Sequence, residues 1–279
     1  MKVFLRLARI VALVYIGLLM LLAGCQNRLL YYPSRDTEKA LLKQASIEGL
    51  QPWKNAQGEI VGWHLPKPNA KRRLVVFHGN AGYALHRSYY ADGFSGHDFD
   101  VYLFEYPGYG ARPGSPGKEV FLSSGRAAVD QLLSTDSRPL YLLGESIGSG
   151  TACALAAARP DKIAGLVLVV PFSRLVEVAK WHFPYLPVGL LLRDRYDNIA
   201  SLEKYHGPVA MVVAERDEVV SPEQGRKLHA AYAGPKLLIS LPKCGHNNFP
   251  THTSEDWWRT VTQFLDQNAA RPTPPTAAQ

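Results

Sequence analysis

The chain has 279 residues, 47% hydrophobic and 20% charged, which is ordinary globular composition with material for one large core. Its net charge is +7, and Lys2, Arg6 and Arg9 hold three of those positives, so the rest of the chain carries only +4. No dense Lys/Arg run accompanies that excess, which argues against nucleic acid as a partner.

The amino terminus reads as a targeting segment. After the positive Lys2-to-Arg9 stretch comes an apolar run, Ile10 to Ala23, short for a membrane span but of signal-sequence length. It ends in Leu22-Ala23-Gly24-Cys25, with small residues before a cysteine. This resembles the bacterial lipoprotein signal, so residues 1–24 are expected to be removed and Cys25 lipidated. Gln26 in place of Asp favours an outer-membrane over an inner-membrane address. A plain amino-terminal anchor helix is the alternative. Lipid chains tether without spanning, so the body would be a soluble domain at a membrane surface of the cell envelope.

Residues 26–45 read as a surface lead-in. Next, short apolar runs alternate with helical patterns. Strands are expected at Glu59–Leu65, Leu74–Phe77, Val101–Phe104, Leu140–Leu143, Leu166–Val170, Val209–Val213 and Leu237–Leu241. Helices are expected at 118–134, 149–159, 222–232 and 254–267. Near-continuous Val/Leu runs suit strands covered on both faces, and β–α alternation predicts a mostly parallel α/β sheet flanked by helices. Ligands bind such sheets beyond the carboxyl ends of the strands. Residues with useful chemistry should therefore follow the apolar runs.

They do, in chain order. Leu74–Phe77 enters His78-Gly79-Asn80-Ala81-Gly82. The glycines allow close backbone approach, and Asn80 is placed to offer an N–H to an oxyanion. His78 reads as a hydrogen-bonding support for that loop. Glu105-Tyr106-Pro107-Gly108-Tyr109-Gly110 reads as a tight turn lining the top of the sheet.

Leu140–Leu143 enters Gly144-Glu145-Ser146-Ile147-Gly148, and a small-residue helix follows. Strand, sharp turn and helix around G-x-S-x-G expose the Ser146 oxygen as a nucleophile and set the Ile147 N–H at a helix amino terminus, as a second oxyanion donor. Such a serine needs a base, and the base needs an acid to orient it. Asp217 follows the Val209–Val213 run and is preferred over Glu215 and Glu218; Asp194 is a more distant alternative. His246 follows the Leu237–Leu241 run. His252 is the reserve base, while His229 falls within a helical stretch.

The segment 172–207, between two strands, is too long for a simple crossover and reads as a short cap. Trp181, Phe183, Tyr185, Leu186 and Leu190 make it apolar, which suits either packing onto the domain or an acyl substrate. Arg193-Asp194-Arg195 reads as an ion-pair cluster. Cys153 and Cys244 are expected to be unpaired thiols, with no metal site. The Ala/Pro/Thr-rich tail, 269–279, is expected to be disordered.

Taken with Leu192-Arg193-Asp194-Arg195-Tyr196-Asp197 and Gly245-His246-Asn247, these motifs resemble the α/β-hydrolase superfamily over about residues 30–268. Within it, the chain is similar to a bacterial lipoprotein branch related to eukaryotic protein depalmitoylases. The resemblance implies an α/β-hydrolase domain at 25–268 and the same three residues, Ser146, Asp217 and His246. Two departures, Glu105 for the branch's common Asp and Asn247-Asn248 for Asn-Asp, leave the substrate open. The expected activity is serine hydrolysis of an ester or thioester, acting on a small or acylated substrate without a cofactor. A peptidase or amidase with the same triad, and a non-catalytic envelope lipoprotein, are the alternatives.

Overall fold

In the computed structural model, residues 1–248 and 256–268 are described. Eight strands form one sheet: β1 Gln51–Lys54, β2 Ile60–Leu65, β3 Arg72–Phe77, β4 Phe99–Phe104, β5 Leu140–Glu145, β6 Ile163–Val169, β7 Val209–Ala214 and β8 Lys236–Leu241. Their spatial order is β8-β7-β6-β5-β3-β4-β2-β1. From β8 across to β4 all neighbours are parallel, whereas β2 runs antiparallel to both β4 and β1. Every residue of β5 and β7 is buried, as expected for strands covered on both faces.

Ten α-helices accompany the sheet among the described residues: α1 Lys2–Leu30, α2 Glu38–Ile47, α3 Ser88–Ser95, α4 Lys118–Thr135, α5 Ile147–Ala158, α6 Leu175–His182, α7 Val188–Leu191, α8 Asn198–Leu202, α9 Pro222–Ala231 and α10 Asp256–Asn268. The seven expected strands and four expected helices are all present, with ends shifted by a few residues. Strand β3 starts at Arg72 rather than Leu74 because Arg73 is buried. Its guanidinium donates to the Leu132, Asp136 and Arg138 carbonyls, placing a cation at the carboxyl end of α4.

Residues 26–45 run along the surface as expected, with twelve of the twenty exposed, but they are also anchored to the domain. Gln26, Tyr31, Leu41 and Ala45 are buried. Tyr32–Pro33 pairs in parallel with Ala81–Gly82, and the Ser34 carbonyl accepts from the Gly110 N–H. The lead-in thus clamps the two glycine-rich turns together.

The segment between β6 and β7 carries α6, α7 and α8. Leu175, Val178 and Val188 pack inward, but Trp181, Phe183, Tyr185 and Leu190 are exposed, so packing onto the domain does not account for them. The expected Arg193-Asp194-Arg195 ion-pair cluster does not form. Arg193 reaches the Ala23 carbonyl and Arg195 those of Leu192 and Gly189, while Asp194 accepts from the Tyr31 hydroxyl at 2.6 Å and the Lys118 N–H at 2.9 Å. Cys153 is a buried thiol in α5, and no disulfide joins it to Cys244. The 269–279 tail lies outside the described residues.

Candidate active site

Strands β3 to β8 point the same way, so their carboxyl ends share one edge of the sheet, and the candidate residues gather there. Ser146 sits between β5 and α5 with φ 53° and ψ −117°, a backbone conformation that L-residues rarely adopt. Its N–H donates to the Val169 carbonyl of β6 at 2.9 Å, which ties the turn to the neighbouring strand. The two flanking glycines are required sterically. A Cβ on Gly148 would drive into the Phe77 carbonyl oxygen, and one on Gly144 into the backbone of Gly148.

His246, in the loop after β8, reaches back over this turn. Its Nε2 lies 3.0 Å from Ser146 Oγ, and its Nδ1 lies 2.7 Å from Asp217 Oδ2. Asp217 is fixed by its other oxygen, which accepts the N–H groups of Val219 at 2.8 Å and Val220 at 2.7 Å. All three residues are 7% exposed, so the chain of contacts is largely shielded from water. In the tautomer that suits this geometry, Nδ1–H donates to Asp217 and Nε2 is free to accept from the serine hydroxyl.

The alternatives fall elsewhere. Glu215 is held by Arg226, whose bonds keep its carboxyl below the ordinary range. The Asp194 carboxylate is committed to Tyr31 and Lys118. His229 lies in α9. His252 lies outside the described residues.

Ile147 opens α5, where a helix leaves its first N–H groups without intrahelical partners. Asn80 is held firmly: its carbonyl accepts from Tyr32 N–H and the Tyr109 hydroxyl, and its side-chain amide donates to the Leu30 carbonyl. Gly79 packs so closely that a Cβ there would lie 2.9 Å from Glu145 Oε1 and 3.7 Å from Ser146 Cβ. His78 is the loop support expected of it, with Nδ1 facing the Gly79 carbonyl at 2.8 Å and Nε2 facing Glu105 Oε1 at 3.2 Å. Glu105 also accepts the Ala84 N–H with both oxygens.

A buried ion pair beside Ser146 has no signature in the sequence. Glu145, beside Ser146, is buried and held by Arg87, whose Nη2 lies 2.9 Å and whose Nε lies 3.1 Å from its oxygens, and by the Tyr89 hydroxyl at 3.1 Å. Burial opposes ionisation of Glu145, but the Arg87 charge and these bonds outweigh it and hold the carboxyl below its ordinary value. Burial would lower the Arg87 pKa, and Glu145 raises it overall.

An apolar slot of about 130 Å³ runs between the last turns of α1 and the cap, lined by Leu22, Leu29 and Leu30 on one side and Phe183, Leu186 and Leu191 on the other. Among the described residues no cluster of His, Cys, Asp and Glu is suited to a metal ion.

Comparison with known proteins agrees with this architecture. Residues 68–193 match the family model described as "Serine aminopeptidase, S33". The uncharacterized Mycobacterium tuberculosis protein Rv2307c is 33% identical over 267 residues, covering 93% of this chain and 94% of its own length. Protein bem46 of Schizosaccharomyces pombe is 29% identical over 72% of this chain and 69% of its own. A Pyrococcus furiosus esterase structure superposes with a TM-score of 0.64 at 17% identity, covering 86% of this chain and 98% of that one. With its strand order, its Gly144-to-Gly148 turn and a full-length relative at this identity, the chain belongs to the α/β-hydrolase superfamily.

Proposed function

We propose that the protein is a serine hydrolase that cleaves a carboxylic ester or thioester through an acyl-enzyme on Ser146. The carrying observation is the contact chain Ser146 Oγ to His246 Nε2 to Asp217, at 3.0 and 2.7 Å, in a shielded site at the carboxyl edge of the sheet. His246 Nε2 takes the proton as Ser146 Oγ attacks the acyl carbonyl. The imidazolium, held by Asp217, then returns the proton to the leaving group. Water attacks the acyl-enzyme by the same route and frees Ser146. The N–H groups of Ile147 and Asn80 are proposed to receive the developing oxyanion; one such donor contributes ~10²–10³ in turnover in a well-studied protease.

The apolar cap and slot support an acyl group over an aminoacyl one. Esterase structures among the fold neighbours agree with this, although the matching family model is named for an aminopeptidase. A chain-length series of acyl esters and thioesters, beside aminoacyl amides, separates these readings. Turnover of esters or thioesters by the wild type and its loss in Ser146→Ala is expected. Preferential turnover of the amides would establish the peptidase reading, and equal rates in wild type and variant would establish a non-catalytic protein.

We further propose that the amino terminus tethers the domain to a membrane. Helix α1 is long and apolar enough to cross one, with a mean hydropathy of 2.3 over its best 18-residue window. Leu22-Ala23-Gly24-Cys25 supports cleavage and lipidation at Cys25, with an envelope and outer-membrane address. The packing of Leu22, Ala23 and Gln26 against the cap supports a retained helix instead. The intact mass of the mature protein distinguishes a lipidated chain starting at Cys25 from an uncleaved one.

A further inference from the structure

The exposed residues of the cap have a shared position. Along α1, only Leu19, Leu22, Ala23, Cys25, Gln26 and Leu30 are sheltered, mostly at the three- and four-residue spacing of one helix face. The cap lies along that face. Gln26 bonds to the Leu191 carbonyl and the Arg193 N–H, Arg193 reaches Ala23, and farther up the helix the Tyr15 hydroxyl donates to the Tyr185 carbonyl. At 1.5 Å per residue, Tyr15 stands roughly 22 Å along the axis from Leu30. The tip of the cap therefore reaches beside the middle of the apolar stretch and not merely its end.

What the cap presents there suits lipid. Trp181 and Phe183 are each 52% exposed, Leu190 84% and Tyr185 91%. Between residues 180 and 195 the exposed charges, Lys180, Arg193 and Arg195, are all basic, and Arg193 sits at the level of Ala23 and Gln26. Apolar and aromatic residues beside the helix, with a basic collar below them, match the depth profile of a leaflet with anionic headgroups.

We propose that the cap is a bilayer-docking surface: its tip, formed by Trp181, Phe183, Tyr185 and Leu190, enters an anionic phospholipid leaflet beside α1, with Arg193 and Arg195 at headgroup level. This rests on the retained-helix form of the membrane attachment proposed above, since a chain cut before Cys25 lacks Tyr15 and Ala23, and it goes beyond a tether because it fixes the orientation of the catalytic domain. It also places the slot between α1 and the cap against the lipid. The tip is mechanically close to the site. His182, at the end of α6, donates from Nε2 to the Val219 carbonyl at 2.8 Å, and the Val219 N–H donates to Asp217.

The test uses the full chain in phosphatidylcholine/phosphatidylglycerol vesicles, with and without brominated acyl chains. Trp53, Trp63, Trp257 and Trp258 are buried, so Trp181 alone among the five tryptophans is exposed to a lipid quencher. The wild type is expected to float with the vesicles and to lose part of its tryptophan emission to bromine. Trp181→Phe should float equally and lose that quenching, with an unchanged circular dichroism spectrum. Flotation with no difference in quenching between the two proteins would overturn the docked cap while leaving the tether standing. Failure to float would overturn both.

Discussion

Ser146, His246 and Asp217 were legible as residues because each follows an apolar run, and parallel strands bring such positions to one edge. The order Ser, Asp, His did the rest. Glu145 and Arg87 were not legible as a pair, since they lie 58 positions apart and no periodicity links them. Their pairing has two consequences. Breaking a buried ion pair by removing one partner typically costs about 3–5 kcal/mol, so Arg87→Met should lower the melting temperature markedly, while the double variant Arg87→Met/Glu145→Leu should recover much of the loss. The second consequence concerns acid. The folded Glu145 carboxyl sits below its ordinary value of 4.5, so its stabilisation is present above that value and lost as pH falls through the folded one. Urea titrations from neutral to acid pH should show this loss in the wild type and a shallower one in Glu145→Gln. Gly148→Ala is expected to abolish activity even where the protein stays soluble, since the added methyl displaces either β3 or the Ser146 turn.

At the scale of elements, the central sheet was readable because continuous apolar runs mark strands buried on both faces. Several elements were missed, α3 and the three cap helices among them, and for two others the physical reason is plain. Strand β1 contains Pro52 and occupies the edge of the sheet, where a missing N–H is tolerated and no apolar run is needed. Helix α2 buries only Leu41 and Ala45, too few apolar positions for a clear period, though Thr37 caps it by accepting the Ala40 N–H at 3.2 Å. The anchoring of the lead-in was not legible for a related reason: it docks through hydrogen bonds more than through a hydrophobic stripe. Tyr31 joins it to Asp194 near the base of the cap, and Tyr32 joins it to the Asn80 loop. Asp194→Ala leaves the buried Tyr31 hydroxyl and Lys118 N–H without their acceptor, so a loss of roughly 1.5–3 kcal/mol is expected in chemical denaturation, with Tyr31→Phe costing less.

For the molecule as a whole, the sequence indicated an amino-terminal membrane signal but not how it meets the enzyme. The two are joined in the structure: α1 continues past Cys25 to Leu30, the Leu30 carbonyl receives the Asn80 amide, and the sheltered face of the helix lies on the cap. Residues 1–18 are exposed throughout and add little packing to the domain. A chain lacking them should keep its fold and its turnover of a short soluble ester, yet move from the membrane to the aqueous fraction on ultracentrifugation. A truncation reaching Gln26 should in addition lower thermal stability, because Gln26 and Leu30 are built into the domain.

Covalent trapping probes whether Ser146 is a nucleophile made reactive by His246 and Asp217. The full-length protein treated with a fluorophosphonate, then digested and mapped by tandem mass spectrometry, should carry one adduct on Ser146. Ser146→Ala should carry none, and His246→Gln should react far more slowly. A wild type that stays unlabelled under conditions that label a control esterase, or an adduct formed at equal rates in wild type and His246→Gln, would rule out Ser146 as a nucleophile activated by His246.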